Sequence, residues 1–443
     1  MKQKKQIKTI NILHIDGYNR YGGAQKSTVN GLRAIKLLLK SSQSDSHSNS
    51  NANANSAETE KNKNLIGKTC LYNNYDNGGK NPERAYSQNL KYNFNFYVIH
   101  NNNKVYEEEL NNINIPNFSI KMKNFGDIIA IIKISKFLIK YKINIVVFHS
   151  SKDHMLGGIA CFLSGRKIIK ILTRHVAYNI SFLKGFLIYH LLTDHYIAIS
   201  KYIKNILIDD LKINPKKITV IYDIRFAAHI TVPTNITDVN KDSNKIDEIK
   251  KNIKKELNIP EEMKIVSIIG RLSNEKGHMT FLNAAKSIIE KRKDIKFMII
   301  GDGDLFDNIK EFINNNKLTD YIIMTGFKKK VEPYIKASDL IIVPSGLEGL
   351  GGIILESCMQ KKAVIASNVG GIPEIIDDGL TGILFEKNNF YELADKILNV
   401  IDNKKMLNKL GNNCYKKITG IFNPYMLAEE NINLYLQLLK LKN

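Results

Sequence analysis

Short runs of β-branched and other apolar residues alternate with longer amphipathic stretches along most of this chain. In the N-terminal half the runs are Ile10–Ile15, Phe96–His100, Ile143–Phe148, Lys170–Thr173 and Tyr196–Ile199. In the C-terminal half they are Ile265–Ile269, Lys296–Ile300, Tyr321–Thr325, Leu340–Val343, Ala363–Ala366 and Gly382–Phe385. Segments with apolar residues at helical spacing, such as Phe281–Lys291 and Phe390–Ile401, lie between them. Continuous apolar strands alternating with helices predict parallel sheets covered on both faces. Each half therefore reads as a doubly wound, Rossmann-like α/β domain, and such sheets bind ligands beyond the carboxyl ends of their strands. Two such domains would meet across a cleft.

Two polar stretches interrupt the pattern. Residues 41–64 carry no large apolar side chain and read as a disordered surface insertion. Residues 231–255 are also polar and fall where a linker between domains is expected. The boundaries expected are a first domain over 1–222, a linker over 223–262, a second domain over 263–422 and a final helical segment over 423–443.

Composition adds limits. The chain has 443 residues, enough for two domains with separate cores. Its four cysteines, Cys70, Cys161, Cys358 and Cys414, are far apart and form no C-x-x-C pair. That spacing predicts neither a disulfide framework nor a zinc site and fits a reducing, cytoplasmic setting. The basic start resembles a secretory leader, but its apolar run is short and broken by His14 and Asp16, so it reads as a first strand. No segment reaches the roughly 18 apolar residues that span a bilayer. The net charge of +22 comes mostly from lysine and is read mainly as a solvated lysine-rich surface. A basic face on the N-terminal half touching an anionic membrane is the second reading of that charge. A nucleic-acid role would rest on charge alone and is not expected.

The stretch that carries most chemistry is SGLEGLGGIILESCMQKKAVIASNVGGIPEIIDDGLTGILF, residues 345–385. It follows a strand, passes a glycine-rich turn and enters a helix near Leu350. Gly349, Gly351 and Gly352 allow close approach of backbone to ligand, with helix N-terminal amides facing phosphate. Glu348 and Glu356 can stand up to about 12 Å apart at the helical rise. That is of the order of a nucleotide sugar's length, so one carboxylate could hold sugar hydroxyls and the other the ribose diol. A second motif, SIIGRLSNEKGHMTFLNAA over 267–285, puts Arg271 and Lys276 on the loop after a strand. Two cations there suit a diphosphate whose charge grows as a sugar departs. Gly22 and Gly23 occupy the loop after the first strand.

These segments resemble the retaining glycosyltransferase family 4, with its Glu–seven residues–Glu signature and its GT-B fold of two Rossmann-like domains. The resemblance covers the C-terminal half almost without gaps and the N-terminal half more loosely. It implies an acceptor-binding first domain, a second domain binding a UDP- or GDP-linked sugar, and a last helix crossing back to the first domain. It assigns the diphosphate to Arg271 and Lys276. Donor contacts fall on Gly22, Gly23, Glu348, Gly349, Leu350, Gly351 and Glu356. NIVVFH, residues 144–149, is similar to the family strand that ends in a histidine, so His149 is the expected catalytic histidine, with His175 as its competitor and His154 a third possibility. The expected catalytic set is His149, Glu348, Arg271 and Lys276. Asp302-Gly303-Asp304 spells a D-x-D but resembles an ordinary loop of this family, and no metal or other cofactor is expected.

Two departures stand out. Asp223-Ile224-Arg225 replaces the family's Asn-Gly, and Ser357-Cys358 replaces Ala-Met, a change expected to alter packing only. The resemblance implies transfer of a sugar to a glycan, lipid or small-molecule acceptor in glycan biosynthesis. The protein would be cytoplasmic, with peripheral contact at the cytoplasmic membrane face. A nucleotide-sugar epimerase of the same architecture and a catalytically silent transferase-like subunit are the alternatives.

Overall fold

The computed structural model describes residues 8–18, 22–47, 92–175, 187–224 and 237–442, without side-chain detail for 41–47, 187–188, 237–245 and 442. Contacts divide the chain into two units: unit 1 is Met1–Ile199, Lys204–Val232 and Phe422–Asn443, and unit 2 is Ser200–Ile203 and Pro233–Ile421.

Unit 1 is built from β1 (Lys8–Asp16), α1 (Gly23–His47), β2 (Tyr92–His100), α2 (Lys104–Asn112) and β3 (Asn117–Ser119). Then follow α3 (Ile128–Lys140), β4 (Ile145–Phe148), α4 (Ser151–Leu163), β5 (Ile169–Arg174), β6 (His195–Ala198), α5 (Lys201–Asp209, whose first three residues fall in unit 2) and β7 (Ile218–Val220). Among the described residues these strands make one parallel sheet in the order β3-β2-β1-β4-β5-β6-β7. Ile12, Leu13, Val98, Ile145 and Val146 have no exposed surface, as both-face burial requires. The order reverses direction at β1, so the residues after β1 and β4 stand side by side at a switch point.

Unit 2 contains α6 (Thr237–Glu256), β8 (Lys264–Ile269), α7 (His278–Lys291), β9 (Ile295–Ile300), α8 (Phe306–Asn315), β10 (Ile322–Gly326) and α9 (Glu332–Ala337). It continues through β11 (Leu340–Val343), α10 (Gly352–Met359), β12 (Val364–Ser367), α11 (Ile372–Ile375), β13 (Ile383–Phe385), α12 (Phe390–Val400) and α13 (Lys404–Ile421). Its described strands form a parallel sheet ordered β10-β9-β8-β11-β12-β13. The core joins Phe281, Phe297, Leu340 and Ile365 to Leu393 and Ile397 of α12. The last helix, α14 (Pro424–Lys442), belongs to unit 1, where it packs along α1.

Four observations modify the sequence reading. The short edge strand β3 was not expected; three residues carry too little periodicity to announce it. The polar insertion read from Ser41 begins inside α1, which runs to His47, and residues 48–64 lie outside the described residues. The stretch read as a linker is helical from Thr237 to Glu256. Ile246, Ile249 and Ile253 supply its apolar stripe at helical spacing, and the helix packs against α9. Finally, Cys358 of α10 and Cys414 of α13 are joined in a disulfide, which corrects the expectation of unpaired cysteines and the reading of Cys358 as a packing change. They lie 56 residues apart in sequence, and only the packing of α10 on α13 brings them together.

Candidate active site

In unit 2 the predicted residues gather on loops at the carboxyl edge of the sheet. β8 ends before Gly270, and Arg271 follows with its side chain 60% exposed and its guanidinium 2.5 Å from Glu275. The next turn, Asn274–Lys276, ends at Gly277, whose φ of +71° opens α7. A Cβ at Gly277 would meet the Pro344 carbonyl oxygen at 1.8 Å, so only glycine lets the β8 and β11 loops touch. Gly346 donates its backbone N–H to the Glu275 carbonyl at 2.8 Å, which joins the same two loops.

This contact brings two predicted residues together. Lys276 Nζ lies 2.7 Å from Glu348 Oε2, an oxygen that also accepts from Ser345 Oγ at 3.1 Å. The pair is partly buried, at 29% and 14% side-chain exposure, so its charges interact through a medium less screening than bulk water. The loop after β12 braces it from below. Gly371 N–H donates to the Glu348 carbonyl at 3.1 Å, and Gly370, at φ +58°, stands where a Cβ would lie 2.0 Å from that carbonyl. Gly349 and Leu350 are buried, and Gly351 caps α10, which starts at Gly352, two residues after Leu350. Glu356 sits half-buried on α10, two residues before the disulfide. Asp302 of the D-x-D accepts from the backbone N–H of Gly303 at 2.8 Å. Among the described residues no group of His, Cys, Asp and Glu is arranged to hold a metal ion.

In unit 1, Gly22 precedes α1 and Gly23 opens it, both exposed. Gln25 fastens this turn. Its amide oxygen accepts from Gly22 N–H at 2.9 Å, while its amide nitrogen donates to both Asp16 oxygens at 2.9 Å. Burial pushes Asp16 up to about 6, against the opposing pull of the Tyr18 and Gln25 hydrogen bonds.

His149 follows β4 and is buried. Its Nε2 lies 3.0 Å from Nδ1 of His14 on β1, and its Nδ1 lies 3.1 Å from Nε2 of His175 beyond β5. The two candidate histidines of the sequence reading are thus neighbours, and His14 joins them. The third, His154, is buried at the start of α4 and bonds to Thr193, which is the setting of a structural residue. Burial drives His149 well below the ordinary histidine range, and the neighbouring histidines push the same way. Asp153 accepts the His149 backbone N–H at 2.8 Å, and burial pushes its carboxyl up to about 8. Asp223, at the departure after β7, is buried within reach of His175 at 3.3 Å, whereas Arg225 lies outside the described residues. A cavity of about 60 Å³ adjoins this cluster, lined also by Thr28 of α1 and by Asn431 and Tyr435 of α14.

Residues 249–417 match the family profile for glycosyl transferases group 1, and residues 90–223 match that for glycosyltransferase family 4. An uncharacterised glycosyltransferase of Methanocaldococcus jannaschii is 30% identical over 319 residues, covering 69% of this chain and 80% of its own. The UDP-Gal:alpha-D-GlcNAc-diphosphoundecaprenol alpha-1,3-galactosyltransferase of Escherichia coli is 28% identical, covering 73% of this chain and 83% of its own. Among solved structures, Anabaena Alr3699/HepE in complex with UDP and glucose superposes with a TM-score of 0.72 at 17% identity, over 97% of this chain and 100% of that one. The paired parallel sheets, the motif loops at their carboxyl edges and these relatives place the chain in glycosyltransferase family 4, as an enzyme of the GT-B fold.

Proposed function

We propose that the protein transfers a sugar from a nucleoside diphosphate sugar to a glycan or lipid-linked acceptor, with retention of anomeric configuration and without a metal ion. The Lys276–Glu348 pair carries this reading. It sets a cation and a carboxylate 2.7 Å apart on loops at the carboxyl edge of a parallel sheet, where such sheets receive nucleotides. On this reading Arg271, Lys276 and the N-terminal amides of α10 stabilise the departing diphosphate. Glu348 orients the sugar hydroxyls, Glu356 holds the ribose diol, the Gly22–Gly23 turn and Leu350 line the donor, and His149 positions the sugar. The bond from the anomeric carbon to the phosphate oxygen breaks, and the bond to the acceptor oxygen forms on the same face. The acceptor's proton passes to the leaving phosphate.

UDP is the first nucleotide to test, since the E. coli relative is named for UDP-Gal and the Anabaena protein was solved with UDP and glucose. That relative's name also includes a lipid diphosphate acceptor, which supports work at the cytoplasmic face of a membrane. Among the described residues no helix is long and apolar enough to cross a membrane. The outward face of α3 supports peripheral contact instead. Ile128, Ile129, Ile132 and Ile139 are 45–69% exposed there, beside Lys133, Lys136 and Lys140, with no acid among them.

The test is a panel of UDP- and GDP-sugars incubated with lipid-linked and free glycan acceptors, the product's anomeric configuration being read by NMR. A product retaining the donor's configuration is expected. An inverted product, or free epimerised sugar made without acceptor, would overturn the reading.

A further inference from the structure

The proposed chemistry leaves the surroundings of His149 unexplained. Its ring is the middle member of three. The ring centroids of His14 and His149 are 5.3 Å apart with planes 16° from parallel, and those of His149 and His175 are 5.4 Å and 29°. With nitrogens 3.0 and 3.1 Å apart, the rings lie edge to edge in a row rather than face to face. The row ends at Asp223. His175 Nδ1 stands 3.3 Å from Asp223 Oδ1, at ion-pair distance but outside hydrogen-bond geometry, so that this buried nitrogen has no hydrogen-bond partner, and the same carboxylate oxygen accepts from Ser27 Oγ at 2.9 Å. Both partners are deeply buried, with side-chain exposures of 6% and 2%. The residue at which this chain departs from its family's pattern is therefore the anchor of the row.

We propose that Asp223 is a positioning residue for His149, acting through His175 and fixing which ring nitrogen of each histidine carries the proton. The inference rests on the reading of His149 as a site residue. A carboxylate only accepts, and its negative charge 3.3 Å from Nδ1 favours His175 with its proton on that nitrogen and a bare Nε2. With one proton per ring, that bare nitrogen accepts from His149 Nδ1–H. His149 Nε2 is then bare and accepts from His14 Nδ1–H. His14 Nε2 is then left bare, in keeping with its being the buried ring nitrogen of His14 that has no hydrogen-bond partner. Burial lowers His14 to about 4, and His149 lies well below its ordinary value, which agrees with single protons on both rings near neutrality. With both nitrogens engaged, His149 offers the sugar a ring of fixed orientation and does not shuttle protons. Asp223 keeps it so, as a second group keeps the base of a hydrolase triad in one tautomer.

The experiment uses the full-length chain labelled with ¹⁵N-histidine, with two-bond proton–nitrogen correlations recorded at mildly alkaline pH. All three rings are expected as Nδ1–H tautomers, the form that free histidine disfavours. Asp223→Ala removes the acceptor and should release at least His175 and His149 from that form, with kcat lower by about tenfold or more and donor KM little changed. Asp223→Asn retains an acceptor oxygen and should retain the tautomers. An Nε2–H proton on His149 in the unaltered protein overturns the proposal, as does an Asp223→Ala variant that keeps all three tautomers. The spectrum of the unaltered protein decides even if the alanine variant fails to fold. It reads the row whether or not sugar is transferred, so its failure is distinct from failure of the transferase reading.

Discussion

Gly370→Ala tests how the donor-side loops hold Glu348. Gly370 has φ +58°, and a Cβ built on it lies 2.0 Å from the Glu348 carbonyl oxygen. Contacts of that kind are essentially never below 3.0 Å, so the two backbones must part by about 1 Å. A left-handed conformation costs a non-glycine residue about 1–2 kcal/mol in addition. The strain falls on the loop fastened by the Gly371 N–H to Glu348 carbonyl bond at 3.1 Å. The Glu348 carboxylate, held by Lys276 at 2.7 Å and Ser345 at 3.1 Å, cannot follow without losing a partner. A misplacement of about 1 Å costs on the order of 100-fold in rate. The assay is release of nucleoside diphosphate from donor in the presence of acceptor, beside a thermal melt. The variant should melt as one folded protein, a few degrees lower, with kcat/KM down by about two orders of magnitude. A folded variant within twofold of the parent in kcat/KM would refute the claim that this backbone contact sets Glu348.

Three further outcomes follow. Reduction of Cys358–Cys414 opens a loop of 56 residues, worth about 4 kcal/mol on the chain-entropy account. Dithiothreitol should therefore lower the midpoint of the unit 2 transition, and the Cys414→Ser variant should melt at the same lower temperature with or without it. For acid stability, the described histidines held below their ordinary range are His14, His100, His149, His154, His195 and His278. Their stability contribution is present above pH 6.5 and is lost as pH falls toward their folded values, at about 1.4 kcal/mol per pH unit for each net proton. The raised carboxyls Asp16, Asp153, Glu429 and Glu430 act in the opposite sense but are fewer, so melts between pH 7 and 4.5 should show a steep fall; a flat profile would contradict the assigned shifts. Replacing Lys133, Lys136 and Lys140 by Gln should abolish sedimentation with vesicles of anionic lipid at low salt, and unchanged sedimentation would remove α3 from the membrane face.

The sheets were legible because each inner strand is a continuous apolar run with no competing period. The signature loops were legible because their chemistry is local: Glu348, the glycines after it and Arg271–Lys276 each lie within a few residues of a strand end. The helix within 231–255 was not legible because lysine and aspartate surround the stripe of Ile246, Ile249 and Ile253. Nothing in the spacing of Cys358 and Cys414 announces their bond, which depends on how α10 and α13 pack. The histidine row lies between these cases. His14, His149, His175 and Asp223 are far apart in sequence, yet they sit at or just beyond the ends of β1, β4, β5 and β7. The sheet order β1-β4-β5 makes the first three neighbours. The role of Gln25, to accept from Gly22 and donate to Asp16, is one that no motif records.

The proposed binding of a nucleoside diphosphate sugar by unit 2 through the Glu348–Glu356 segment can be read from thermal stability against UDP, GDP and their sugars, with Glu356→Ala alongside. A ligand at 100 times its Kd adds about 2.7 kcal/mol to the folded state. One nucleotide series should raise the midpoint by several degrees in the parent and leave the variant unmoved. No shift with any of them, or an equal shift in Glu356→Ala, would rule out nucleotide-sugar binding through this segment.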